Sequence, residues 1–441
     1  MSETAMQPSE PVSTLPRTPE QVLEELGRGV APADELSLEE INPLNANLFA
    51  EDRWQGYFER LRKEDPVHLN DVEPSGRYWS VTKYADIKTV SSDWQTYSSA
   101  QGITLGFRVG EQVPEAFRPQ GRPPFISQDP PSQTEQRKTV QPVVAPRNLV
   151  HLEPLIRERT QKVLDSLPEG ETFDWVDTVS IELTTAMLAT LFDFPFEDRR
   201  KLTRWSDIIF AIPQPGGVVE SQAQKREEIM GCLEYFTRLW DERRGKPGKD
   251  LVSMLANGEA TKDLSPADHL GNVILLIVGG NDTTRNTMSG SVYALDKFGE
   301  QYDKLIANPD LVKGMVPEVI RWQTPLSYMR RTATRDCELG GKQIQKKDQL
   351  LMWYVSGNRD EDVFENANVL DIERRNAATH LSFGHGTHFC MGSRVAELQL
   401  RVLWEEILQR FERIEVQDEP SRTLSSFVKG YTYLPVKVRR K

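Results

Sequence analysis

The sequence predicts a mainly α-helical chain with small β-sheets, an α+β protein organised as one large domain. Three observations predict it. Apolar residues recur at helical spacing over long stretches, above all from Pro266 to about Phe298 and from Arg394 to Arg413. Short apolar and aromatic runs bounded by turn residues, Val67–Leu69, Tyr78–Val81 and Leu350–Tyr354, suffice for a small sheet beside those helices. Nothing in the middle of the 441 residues reads as a linker between domains.

Taken in order, Met1 to Asp34 is a polar, proline-dotted leader, expected to be disordered, and residues 35–441 form the domain. Leu48 to Glu64 reads as the first helix, with Trp54, Phe58 and Leu61 on one side. A hairpin follows across Glu73–Gly76, with His68 on a strand edge read as a surface residue. A short helix spans Lys83–Val90. Gln101 to Asp129 is long, rich in glycine and proline and weakly periodic, as a lid or binding loop would be. The prolines at 130 and 131 end that loop and start a helix with Arg137 about two turns in, where a guanidinium can pair a carboxylate. Val150 to Arg244 is mostly helical, in segments around Leu152–Leu167, Thr178–Phe192 and Arg199–Ile212. Ile212–Gly217 (Ile-Pro-Gln-Pro-Gly-Gly) breaks it, which suits a gate between amphipathic helices. Trp205, Ile208 and Phe210 face either an access channel or the core. Further on, Leu339–Gly341 and Lys346–Asp348 are hairpin turns before the Leu350–Tyr354 strand.

The net charge of −12 and a pI near 5.2 argue against nucleic acid and against an anionic membrane surface as partners. Cys232, Cys337 and Cys390 are too far apart for a disulfide framework or a zinc module, which points to a reducing, cytoplasmic setting. No run of about eighteen apolar residues is present, so no membrane anchor is expected.

The long helix opens with Ser265 as N-cap and Pro266 at its first position, and runs for roughly 50 Å. Leu275–Val278 is apolar all round, so the helix crosses the interior. Its middle, Gly279-Gly280-Asn281-Asp282-Thr283-Thr284, violates helix propensity: each glycine costs about 1 kcal/mol against alanine, and a buried aspartate must be paired or hydrated. Such inconsistency is expected where function overrides stability.

The second conspicuous stretch is Leu381–Ser393, where Phe383-Gly-His-Gly-Thr-His-Phe-Cys390-Met-Gly392 leads straight into the last long helix. Gly384 and Gly386 allow tight turns and close approach of backbone to a ligand. The helix start beyond Cys390 aims N–H groups and positive dipole charge at the sulfur, favouring thiolate. A zinc site from His380, His385, His388 and Cys390 is the rival reading, but its spacing fits no standard zinc module and leaves the glycines unexplained.

The pattern F-G-x-G-x-H-x-C-x-G resembles the heme-ligand signature of the cytochrome P450 monooxygenases, and the resemblance covers Glu35 to the C-terminus in the correct motif order. It implies the cytochrome P450 fold and heme b (iron protoporphyrin IX) with Cys390 as axial thiolate, the ligand that favours O–O cleavage. It assigns the heme propionates to Arg137, Arg331 and His388, and places Gln133 where relatives carry a histidine. Phe383 and Gly384 lie against the heme, and Gly279 and Gly280 let the long helix approach it. Asp282 passes protons inward and the Thr283 hydroxyl holds the reacting oxygen. Glu318 and Arg321, as E-x-x-R on one helical face, form a structural ion pair completed by Arg374, with Arg375 as the spare. Leu276, Leu326, Tyr328, Met329 and Phe427 are the pocket-lining candidates. Phe389 stands where many relatives have arginine, reducing basic charge toward a redox partner.

A narrower resemblance, to the bacterial alkane and fatty-acid terminal (omega) hydroxylases, is carried by Leu275–Gly290, Arg321–Leu326, Ser356–Glu361 and Ala396–Glu406. It implies hydroxylation of the terminal carbon of medium-chain linear alkanes or fatty acids. The enzyme would be a monomer using O2 and electrons from a [2Fe-2S] ferredoxin and its NAD(P)H-dependent reductase. A bulkier terpene-like or other apolar substrate is the alternative within the same fold. A non-catalytic heme-binding protein is the alternative outside enzymes, and it would not need the Asp282–Thr283 pair.

Overall fold

A computed structural model describes residues 30–72, 76–105, 122–211, 213 and 216–441. Most of the leader (1–29), the tip of the first hairpin (73–75), the middle of the glycine-rich loop (106–121), residues 212, 214 and 215 of the breaker and the Phe210 side chain lie outside the described residues. The last few leader positions are within them: the Ala31 carbonyl accepts from Tyr57 Oη at 2.9 Å, and Val30 is buried.

The long helix spans Pro266–Lys297, with the Ser265 hydroxyl accepting from the Asp268 N–H as N-cap. It is packed on nearly every side, by Glu182–Phe192, Arg200–Phe210, Val312–Gln323 and the final helix Ser393–Arg410. Several polar side chains buried along it meet partners. Ser289 bonds Ser180 at 2.9 Å, Asn281 accepts from Thr184 at 3.2 Å, and Ser291 accepts from the Trp404 indole at 2.8 Å. The final helix serves two cores. Leu403, Trp404 and Ile407 join one built around Trp175 and Val292, while Val395, Leu398 and Val402 join another around Phe192 and Phe236.

The sheet has five strands in the order Val67–Val72, Gly76–Val81, Gln349–Trp353, Tyr328–Ala333 and Tyr97–Ser98. The second and third pair in parallel, Trp79 opposite Leu350, and the other pairs are antiparallel. The central strand is buried on both faces: Leu351 and Trp353 enter one cluster with Phe58, Leu350 and Met352 another with Val81. The strand Tyr328–Ala333 of this sheet and the long helix frame the site.

Two expectations change. The first helix is two, Ala46–Ala50 and Trp54–Glu64, broken where Asp52 adopts a left-handed φ of 52°. His68 is buried, because Asp65 three residues earlier holds its Nδ1 at 2.9 Å.

Candidate active site

One cavity brings together residues from widely separated stretches of the chain. Cys390, then Gly279, Gly280 and Thr283 of the long helix, and the basic side chains Arg137, Arg331 and His388 all line it. Gln133, Phe383, Gly384, Leu276, Leu326 and Met329 also line it.

The cysteine loop is shaped by local bonding. The Cys390 N–H donates to the Phe383 carbonyl at 2.8 Å, the Gly384 N–H donates to Leu381, and Gly384 and Gly386 take φ of 70° and 69°. At Gly386 a Cβ would lie 2.5 Å from the Ser91 carbonyl oxygen, so the turn admits no side chain. Burial pushes the Cys390 thiol up, while the N–H groups of Gly392 and Ser393 and the Arg137 charge pull it back.

The basic side chains lack a counter-charge among the described residues. Arg331 is 4% exposed, donates to the neighbouring Arg330 carbonyl at 2.8 Å, and forms no ion pair among the described residues. Arg137 donates to the Phe389 carbonyl at 2.6 Å and likewise has no carboxylate partner there. Burial lowers the pKa of both. Burial and these two guanidinium groups pull His388 down to about 3, so its imidazole is neutral at pH 7, with Nε2 3.1 Å from Ser99 Oγ. The described lining contains no aspartate or glutamate. Burying cations without an anion is costly, so this wall fits a ligand that brings carboxylates. A Cβ on Gly279 would meet no atom within 4 Å, so the helix leaves open space there. A thiol, open helix backbone and guanidinium groups without a carboxylate partner, brought together in one cavity, fit heme b with its two propionates. Gln133, in the place of a histidine, donates from Nε2 to the Thr387 carbonyl at 3.3 Å and so braces the loop before Cys390.

The two residues assigned to oxygen chemistry diverge. Thr283 faces the cavity, its hydroxyl donating to the Gly279 carbonyl at 2.8 Å. Asp282 is buried on the far side of the helix, accepting from Ser206 at 2.8 Å and pairing with Arg285 at 2.9 Å. Burial raises its pKa, and Arg285 opposes the rise.

Tyr328 and Phe427 do not line the cavity. Along the strand Tyr328–Ala333 side chains alternate, so Met329 and Arg331 face the cavity and Tyr328 faces the opposite side, against Trp353. Phe427 packs edge-on against Tyr328 in that same aromatic cluster. Sequence reasoning missed Leu188, Phe125 and Tyr354 in the lining. Only Leu188 had an indirect sign: a Cβ on Gly280 would lie 2.6 Å from Leu188 Cδ2, so the glycine makes room for it.

Away from the cavity, Glu318 and Arg321 are fully buried and doubly bonded at 2.7 Å, and Arg374 Nε adds bonds of 3.1 Å to both Glu318 oxygens. Among the described residues no helix is long and apolar enough to cross a membrane.

Comparison with known proteins agrees with this arrangement. A sequence model of the cytochrome P450 family matches residues 76–432. The chain is 36% identical to linalool 8-monooxygenase of Pseudomonas putida, over 89% of this chain and 97% of that one. It is 30% identical to the methyl-branched lipid omega-hydroxylase of Mycobacterium tuberculosis, over 90% and 94%. The solved structure of cytochrome P450-153 from Novosphingobium aromaticivorans superposes with a TM-score of 0.84 at 44% identity, covering 90% of this chain and 99% of that one. With the family match spanning most of the sequence and the fold shared throughout, the chain belongs to the cytochrome P450 family and is an oxygen-dependent monooxygenase that uses heme b.

Proposed function

We propose that this monooxygenase hydroxylates the terminal carbon of medium-chain linear alkanes or fatty acids. Its electrons would come from a [2Fe-2S] ferredoxin and an NAD(P)H-dependent reductase, with the enzyme acting as a cytoplasmic monomer. The observation that carries the substrate class is the aliphatic share of the cavity lining, to which Leu188, Leu191, Leu251, Leu275, Leu276 and Leu326 all contribute. Such a wall binds a hydrocarbon chain by burial alone, worth about 0.8 kcal/mol per CH2. Terminal C–H bonds are stronger than internal ones, so selectivity must come from holding the chain end nearest the reacting atom. The relative named for omega-hydroxylation of methyl-branched lipids supports the terminal position.

Heme bound in the cavity supplies oxygen activation, placing one oxygen atom in a C–H bond while the other leaves as water. Cys390 would hold it as the thiolate, and Arg137, Arg331 and His388 would hold its propionates. Thr283 Oγ1, now donating to the Gly279 carbonyl, is the hydroxyl placed to donate into the cavity. Asp282 would take protons on the Ser206 side and pass them toward Thr283 on releasing Arg285. The aliphatic side chains would keep water from the reacting carbon.

The test supplies octane and dodecanoate to the holoenzyme with a surrogate ferredoxin and reductase. Primary alcohol and ω-hydroxy acid are the expected main products; mainly internal alcohols would overturn the terminal assignment. The similarity to linalool 8-monooxygenase favours one second reading, a bulkier terpene-like substrate. Preferential turnover of linalool over both linear chains would support that reading.

A further inference from the structure

Asp282 is fully engaged where it stands. Its Oδ2 accepts from the Ser206 hydroxyl at 2.8 Å, and its Oδ1 accepts from Arg285 Nη2 at 2.9 Å and from the Asn281 amide at 3.4 Å. Each of these donors favours the ionised carboxylate, so one of them must leave before Asp282 can take up a proton. The Ser206 hydroxyl and the Asn281 amide nitrogen have no second acceptor among the described residues. Arg285 has one. The same Nη2 atom donates to Asp207 Oδ1 at 2.7 Å, on the helix Arg200–Phe210, one residue after Ser206.

The two carboxylates that share this guanidinium are unequal. The Asp282 side chain is 4% exposed and that of Asp207 30%, so only Asp207 stands at the solvent. Arg285 Nε has no partner among the described residues, and neither has Asp207 Oδ2, so Asp207 can complete a two-bond fork with the guanidinium. In Asp282 the second oxygen is already taken by Ser206. The groups facing Asp282 pull in opposite directions: burial raises its pKa, Arg285 lowers it, Asp207 raises it and Ser206 lowers it.

We propose that Asp207 is a positioning residue for proton delivery: it competes with Asp282 for Arg285 and, by drawing the guanidinium off, lets Asp282 take up a proton. The role rests on Asp282 being the proton carrier of the proposed function. A proton from solvent binds the Asp282 carboxylate as the cation leaves and passes on toward Thr283. The returning guanidinium then stabilises the carboxylate left behind, so the charge of the cluster is the same before and after one delivery. Asp207 itself touches neither the cavity above Cys390 nor the reacting atoms.

The experiment uses the holoenzyme with a surrogate ferredoxin and reductase, on whichever of octane, dodecanoate and linalool it turns over. D207N keeps the size of a half-exposed side chain and leaves Arg285 with Asp282 alone. Its kcat should fall about tenfold with KM unchanged and a larger solvent deuterium isotope effect, and D207E should restore most of the rate. In an R285Q background, where no guanidinium is left to compete for, D207N should cause no further loss. A second readout needs no turnover. The infrared C=O stretch of the protonated Asp282 carboxyl, identified by its loss in D282N, should appear at lower pH in D207N, because removing a neighbouring negative charge lowers a carboxyl pKa. Should R285Q fail to fold, the D207E rescue and the infrared titration carry the test. Unchanged kcat in D207N, an equal loss in the R285Q background, or a carboxyl band that does not move would overturn the proposal. D282N at the wild-type rate would remove the proton carrier and this role with it, whereas a slow D282N beside an unaffected D207N overturns the role of Asp207 alone.

Discussion

Asp282 and Thr283 are adjacent in sequence, yet one is bound to Ser206 and Arg285 behind the long helix and the other opens onto the cavity. That separation makes their variants distinguishable. Thr283→Ala removes the hydroxyl facing the cavity and should leave electron consumption running while product per electron falls about tenfold; unchanged coupling in an NADH-to-product balance would remove its role. Asp282→Asn keeps the size and the Ser206 contact but abolishes proton transfer, so kcat should fall about a hundredfold with substrate binding intact. Arg331→Met should be purified with less heme than wild type, because it removes a buried cation that only the propionates would balance; full heme occupancy would count against that assignment. The types and numbers of these residues could be read from the glycine-aspartate-threonine run and the cysteine pattern. Their directions could not. A one-residue step on a strand reverses the face, which is why Met329 meets the cavity and Tyr328 does not, and the strand's register depends on pairing with Gln349–Trp353 some twenty residues away.

Within the long helix, His269 is buried against Trp240 with neither ring nitrogen bonded among the described residues. Burial draws its pKa down to about 3, against roughly 6.5 in the unfolded chain. A depressed value means the stability is present above pH 6.5 and is lost as pH falls toward 3. Between pH 6.5 and 4.5 that single group should cost about 2–3 kcal/mol. Urea unfolding of His269→Leu should therefore lose correspondingly less stability than wild type over this window; parallel pH profiles would contradict it. Helices were legible where apolar periodicity was long and a cap was present, as at Ser265. The break at Asp52 was not, because a left-handed aspartate carries no mark in sequence that distinguishes it from a helical one.

At the scale of the molecule, Glu318 and Arg321 act as a hub. Arg321 donates to the carbonyls of Asn358, Ala367 and Val369, and Glu318 accepts from the Asp371 N–H and Arg374. The hub thus fixes the segment that leads to the cysteine loop onto the helix Val312–Gln323. Breaking a buried pair leaves an uncompensated charge, so Glu318→Gln should destabilise the fold by about 3–5 kcal/mol, read from chemical denaturation followed by helical circular dichroism. The pair was visible as E-x-x-R; the loop it holds was not, since those contacts cross about 37–53 residues of chain that include the strands Tyr328–Ala333 and Gln349–Trp353. The sheet's one parallel pairing, Ser80 with Leu351, was hidden for the same reason. All of these elements converge on the assignment of Cys390 as the thiolate that holds the heme iron. The absorption spectrum of the reduced, CO-bound protein tests it most directly. Wild type should show the red-shifted Soret band of a thiolate ligand, and Cys390→Ser should lose it; a wild-type protein without that band, or a serine variant that keeps it, would contradict the account.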